Sequence, residues 1–164
     1  MEKNNVLSIR AMDGTKLYAI VRDVLKKARQ NIARNVNSAI VQAYWQVGRH
    51  IVEYEQSGEQ RAKYGDATLK QLSEKLSAEF GSGFTVTNLK LMRQFYLAFP
   101  IGHALRDELS WTHYRSLLKV QNQEVRLWYM DECVRENWST RQLDRQINTL
   151  FYERMLASRD KETV

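Results

Sequence analysis

The sequence predicts an all-α protein, and three observations carry that prediction. The 164 residues include one proline and seven glycines, while the good helix formers Leu, Gln, Arg, Lys and Glu are abundant. Apolar residues recur at three- and four-residue spacing along most of the chain. No stretch alternates apolar and polar residues as a half-buried strand does. With 43% hydrophobic and 27% charged residues, a chain of this length buries a core without cross-links.

Residues 1–15 lack periodicity and read as a flexible arm. From Lys16, stripes at Leu17, Val21, Val24, Leu25, Ala28 and Ile32, then at Val36, Ile40, Ala43, Val47 and Ile51, mark residues 16–57 as an amphipathic helical segment. Asn35–Asn37 either breaks this segment or lies within one long helix. A dimerising arm or helical hairpin and a pair of core helices are equally good readings of it. Residues 58–65 are polar, contain Gly58 and Gly65, and form the best internal boundary. Asp66 can cap the next helix, with Leu69, Leu72, Leu76 and Phe80 facing inward.

Gly81 and Gly83 then break the chain, and Thr85 caps a helix whose inward residues are Val86, Leu89, Met92 and Phe95 or Tyr96. Pro100 and Gly102 end it. Ser110 caps a short helix with Tyr114, Leu117 and Leu118 inward. Asn122 caps another, with Val125, Trp128 or Tyr129, and Cys133 inward. Ser139 and Gln142 have the spacing of a capping box, opening a last helix with Leu143, Ile147, Leu150 and Phe151 on its stripe.

Charge and chemistry narrow the function. The net charge is +6 and the isoelectric point about 9.5, which favours a polyanionic partner. Seven Lys/Arg against two acids lie between Arg10 and Arg34, and three against none between Thr85 and Arg106. Cys133 stands alone in an apolar helical phase and reads as a buried thiol. His50, His103 and His113 show no metal-ligand spacing, and no glycine-rich phosphate loop follows a strand. No catalytic residue, metal or cofactor is therefore expected. Nothing reads as a signal peptide or as an apolar run long enough to span a bilayer, so a cytoplasmic location without membrane contact is expected.

The segment Phe80–Pro100 points to a ligand. An apolar helix, a glycine-broken turn and a second helix with short polar side chains at its start have the layout of a helix-turn-helix. Thr87 and Asn88 suit base contact, Lys90, Arg93 and Gln94 line the same polar side, and Thr85 is a cap in any reading. A plain helical hairpin accounts for the pattern equally well. Further on, His113 and Arg115 lie in the short helix after Ser110, and Arg141 and Arg145 lie four apart on one helix face. Arg141 occupies a first helical turn, where a cation opposes the helix dipole. A phosphate or a carboxylate such as Asp144 would explain it.

GFTVTNLKLMRQFYLAFP, LSWTHYRSLLKV and ENWSTRQLDRQINTLFYERM, with AYWQVGRHIVEYEQ and YGDATLKQLSEKLSAEFG before them, resemble the N-terminal domain of the YhcG-like family. In that family a helical domain precedes a PD-(D/E)XK nuclease domain. The order of a helix-turn-helix, LSWTHYRSLL and WSTRQL is more weakly similar to the ParB-type DNA-binding domain. The resemblance implies a helix-turn-helix or winged-helix-like module over residues 66–158 that positions a nuclease on duplex DNA, in phage or mobile-element defence. Residues 159–164 read as a tail toward a nuclease domain, and no carboxylate–lysine constellation of such a domain is present here. Cleavage is therefore not expected of these residues.

The leading expectation is duplex DNA binding as a homodimer through Thr85, Thr87, Asn88, Lys90, Arg93, Gln94, His113, Arg115, Arg141 and Arg145. Arg22, Lys26, Lys27 and Arg29 supply a secondary basic surface. The alternative is a protein–protein assembly or oligomerisation module without direct DNA contact, in which the stripes of residues 16–57 and Trp45, Tyr96, Trp111 and Trp128 build an oligomer or dock a nuclease or another defence partner.

Overall fold

A computed structural model describes residues 14–57 and 65–162. The arm expected at 1–15 and the loop expected at 58–65 fall almost wholly outside the described residues, as do positions 163 and 164 of the tail. Among the described residues there are seven α-helices and one short 3-10 turn, and no strand. The all-α expectation holds, and the described residues contain no β-wing of a winged-helix domain.

Helix α1 runs unbroken from Gly14 to Gln56, so Asn35–Asn37 continues the helix. The chain nevertheless divides into two compact units, residues 1–36 and 37–164. The boundary between these units lies inside α1, and residues 58–64 of the loop that composition favoured lie outside the described residues. In the first unit every residue from 14 to 36 is exposed. Asp23 and Lys27 form an ion pair of 2.9 Å one helical turn apart.

In the second unit, the remainder of α1 joins α2 (Gly65–Phe80), α3 (Val86–Ala98), α4 (Trp111–Leu117), α5 (Gln123–Arg135), α6 (Thr140–Asn148) and α7 (Phe151–Glu162). A larger core gathers Val41, Phe95, Phe99, Leu105, Leu109, Tyr114, Leu117, Tyr129, Met130, Cys133 and Leu143. A smaller one holds Ile51, Leu69, Leu89 and Met92. Each fully buried large side chain contributes about 1.5–3 kcal/mol relative to exposure. Tyr114 is completely buried between Phe95 and Phe99. Its hydroxyl accepts from the Arg106 N–H at 2.7 Å and donates to the Arg106 carbonyl at 3.4 Å. Burial pushes this phenol up to about 12.

α1 and α3 cross closely at Gly48, where an added Cβ would sit 2.0 Å from the Met92 carbonyl oxygen. The caps follow the sequence signals. Thr85 Oγ1 accepts from the Asn88 N–H, and Asn122 Oδ1 from the Val125 N–H. Ser139 and Gln142 close a reciprocal capping box. Gly81 and Gly83 take φ of 80° and 109°, left-handed values that favour glycine.

Three expectations are corrected. Asp66 lies in the first turn of α2 and pairs with Lys90 at 3.2 Å; it does not sit at the cap. Phe80 is 62% exposed: α2 ends there, and the ring lies against the Phe84 ring of the following turn. The last helix is two helices: α6 stops at Asn148, and Leu150, at φ 53°, redirects the chain into α7.

The aromatic residues weighed as assembly contacts are used inside the second unit. Trp45 packs on Tyr96 and donates Nε1–H to the Phe99 carbonyl at 2.6 Å. Trp111 packs on Tyr44 and Phe95, and Trp128 on Tyr129, Phe151 and Tyr152.

Candidate nucleic-acid interface

The turn between α2 and α3 is fixed by short-range chemistry. The Ser73 hydroxyl donates to the Phe84 carbonyl at 2.6 Å, and the Asn88 side-chain amide donates to the Gly83 carbonyl at 2.7 Å. Asn88 therefore serves the turn, and Thr85 serves as cap. Along α3, Lys90 is tied to Asp66. Arg93 donates to Glu55 at 2.8 Å, with both side chains largely covered. Gln94 makes a long contact of 3.4 Å to the Leu118 carbonyl. Thr87 is exposed and makes no side-chain bond among the described residues. With Lys90, Leu91, Arg93, Gln94 and Leu97 it lines a shallow groove.

Leu91 also borders a second groove of about 440 Å³, whose other walls come from α4 (Thr112, Arg115, Ser116), Lys119, and α6 (Thr140, Arg141, Asp144). Three cations here face one carboxylate. That carboxylate is already taken: Asp144 accepts from Lys119 at 2.5 Å and from the Ser116 hydroxyl at 3.2 Å. The lysine hydrogen bond is the main reason Asp144 is held below the usual carboxylate range. Among the described residues, the side chains of Arg115, Arg141 and Arg145 make no ion pair and no hydrogen bond. Arg141 is thus an unpaired cation in the first turn of α6, a placement the helix dipole opposes.

Sequence reasoning named Arg115 and Arg141 but missed Thr112, Lys119 and Thr140. The available signal was the one-face spacing of Thr112, Arg115 or Ser116, and Lys119 on and just beyond α4.

His113 has a different task. Its Nδ1 accepts from the Ser110 N–H at 3.1 Å in the capping box of α4, which leaves Nε2–H to donate to the Trp138 carbonyl at 3.0 Å. Both ring nitrogens are spent on the fold. Burial is the main cause that moves the imidazole below the ordinary 6.5, partly opposed by the Trp138 contact. A depressed histidine value favours the neutral form in the folded chain. The stability it contributes is complete above about pH 6.5 and is lost as pH falls through the folded value. Thermal unfolding followed between pH 7.5 and 5 should therefore show a loss that shrinks in His113→Gln. An unchanged pH slope in that variant would remove His113 as its source.

Cys133 is buried and its thiol is pushed up to about 11 by burial; its Sγ lies 3.6 Å from the same Trp138 carbonyl. Arg126 donates to the Val120 and Gln121 carbonyls at 2.8–3.3 Å and lies over the Phe99 ring. It thereby satisfies carbonyls just past the end of α4. No described helix is long and apolar enough to cross a membrane.

The DUF1016 N-terminal domain profile matches residues 20–154. The chain belongs to this family. It is also 36% identical over 173 aligned positions to the Escherichia coli (strain K12) protein named "Putative nuclease YhcG". That alignment covers 86% of this chain and 46% of the relative, so the chain spans less than half of the relative's length. No solved structure matches the chain, and the weaker likeness to ParB-type domains gains no support from these comparisons. The matched DUF1016 N-terminal domain takes in both grooves and most of α1.

Proposed function

We propose that this DUF1016 N-terminal domain is a duplex-DNA-binding module that positions a nuclease-bearing protein on DNA. One observation carries the reading: the groove beside α3 holds Arg115 and Arg141, which have no carboxylate partner among the described residues, while its own carboxylate is neutralised by Lys119. Unpaired guanidiniums beside threonine hydroxyls form a phosphate-contacting surface. In this reading α2, the turn and α3 act as a helix-turn-helix. Thr87 approaches base edges, Arg115, Arg141 and Arg145 hold phosphates, and Lys90 exchanges Asp66 for a phosphate. Thr85, Asn88 and His113 support the surface from within. The nuclease assignment follows the relative's name, and a role in phage or mobile-element defence is the context that suits it.

The test is fluorescence anisotropy with a labelled random duplex of about 30 base pairs, from low to moderate salt. About four phosphate contacts should give a log–log salt slope near −3 to −4. Absence of binding at low salt would overturn the reading for this domain. It would also favour the assembly alternative, which the exposed apolar face of residues 17–36 supports.

A further inference from the structure

Among the described residues, nothing covers the apolar face of the helix in the first unit. Leu17, Tyr18, Ile20, Val21, Val24, Leu25, Ile32 and Val36 are 46–69% exposed, although such apolar area is normally buried. Leu17, Val21, Val24, Ala28, Asn31 and Asn35 follow the alternating four- and three-residue spacing of a helix–helix seam. Cations edge the wider apolar face that contains it: Arg22 and Arg29, one heptad apart, lie beyond Tyr18 and Leu25 on one border, and Lys16, Lys27 and Arg34 lie on the other. Six Lys/Arg and one acid lie between Gly14 and Val36, and that acid, Asp23, is held by Lys27 at 2.9 Å. A groove of about 600 Å³ runs along one border, between Tyr18, Val21 and Leu25 on its apolar side and Arg22, Lys26 and Arg29 on its basic side.

We infer that this face docks an acidic amphipathic helix of a partner protein, with glutamates or aspartates on both borders of its apolar stripe. Charge disfavours the closest competitor, a second copy of α1. Self-pairing of α1 in either orientation sets cationic borders against cationic borders, whereas an acidic helix offers carboxylates to Arg22 and Arg29 on one border and to Lys16 and Arg34 on the other. Asn31 and Asn35 decide against a lipid surface. Their amides sit inside the seam, where lipid leaves them unpaired and a facing helix supplies hydrogen-bond partners that fix register. About 20 residues of α1, roughly 30 Å of helix, are available for this contact. The inference rests on residues 14–36 and is independent of the DNA reading.

The experiment titrates the intact chain into labelled peptides of about 20 residues that share one Leu/Ile stripe and differ at the borders: Glu, Gln or Lys. The Glu peptide should bind about tenfold more tightly than the Gln peptide, the sum of four or five exposed ion pairs worth a fraction of a kcal/mol each. The Lys peptide should not bind. In the double variant Arg22→Glu/Arg29→Glu, which changes only exposed positions, the preference for the Glu peptide over the Gln peptide should shrink to about threefold or less, because only the border of Lys16, Lys27 and Arg34 still attracts it. Circular dichroism checks that the variant keeps its helix content. The inference is overturned by equal binding of the Glu and Gln peptides, an undiminished Glu preference in the charge-swap variant, a chain that sediments as a dimer with α1 unavailable to peptide, or capture by phosphatidylglycerol vesicles in preference to the Glu peptide. Displacement of the Glu peptide by excess duplex DNA also overturns it, because the face would then be a general polyanion surface.

Discussion

Replacing Gly48 by alanine should destabilise the second unit by about 2 kcal/mol or more. Two effects oppose each other at this position. In a helix interior alanine is favoured over glycine by about 1 kcal/mol, so propensity alone predicts a more stable protein. Packing reverses the sign. The new Cβ would lie 2.0 Å from the Met92 carbonyl oxygen, 2.6 Å from its carbon and 3.2 Å from the Tyr96 Cβ. The first two are backbone atoms of α3, so no rotamer change relieves the clash. α1 and α3 must move apart, and Val41, Ile51, Leu89 and Met92, all at most 7% exposed, lose contacts together. Against a total stability of roughly 5–15 kcal/mol, the shift is large. Thermal or urea unfolding followed by circular dichroism measures it, at about 2–4 °C per kcal/mol for a chain of this size. Gly14→Ala is the control, since nothing lies within 4 Å of its added Cβ. If Gly48→Ala unfolds at or above the parent temperature, the close crossing of α1 and α3 is wrong.

Much of the fold was legible because local chemistry governs it. Thr85, Ser110, Asn122 and Ser139 cap their helices through bonds three residues long, and apolar spacing picked out Leu89, Met92, Tyr114, Leu117, Cys133 and Leu143 as core. The break at Leu150 was not legible. The apolar stripe continues through it, and only the backbone conformation shows that the helix ends. The site was less legible for a related reason. Arg93 looks like a phosphate ligand from its own helix, yet it is paired with Glu55, 38 residues earlier. Asp144 was one of two candidate partners of Arg141, beside a phosphate, yet Lys119 reaches it from 25 residues away. Which cations stay free is decided by tertiary pairing, which no local window contains. His113, by contrast, could have been assigned from the sequence, because it stands at the third position after the Ser110 cap, where a side chain can reach back.

The free cations make the DNA reading quantitative. Arg115→Ala combined with Arg141→Ala should flatten the log–log salt slope by about two units, close to one for each lost phosphate contact. At moderate salt the affinity should fall about 10–30-fold, with unfolding unchanged because both side chains are exposed and unpaired. Arg93→Ala should behave differently. It strips the largely covered Glu55 of its partner, so its cost should appear in stability more than in slope.

The sharpest comparison is within the Lys119–Asp144 pair. Asp144→Asn removes the groove's carboxylate, releases Lys119 to the ligand and keeps an oxygen for the Ser116 hydroxyl. Binding should tighten and the salt slope steepen. Lys119→Ala leaves the Asp144 carboxylate uncompensated beside Arg115 and Arg141, and binding should weaken. Opposite signs from two neighbours in one ion pair are what a phosphate in this groove requires. A groove that only packs against another protein would feel both changes as loss of the same pair. Equal and like-signed effects on duplex affinity would therefore remove the groove between α4 and α6 as the phosphate site.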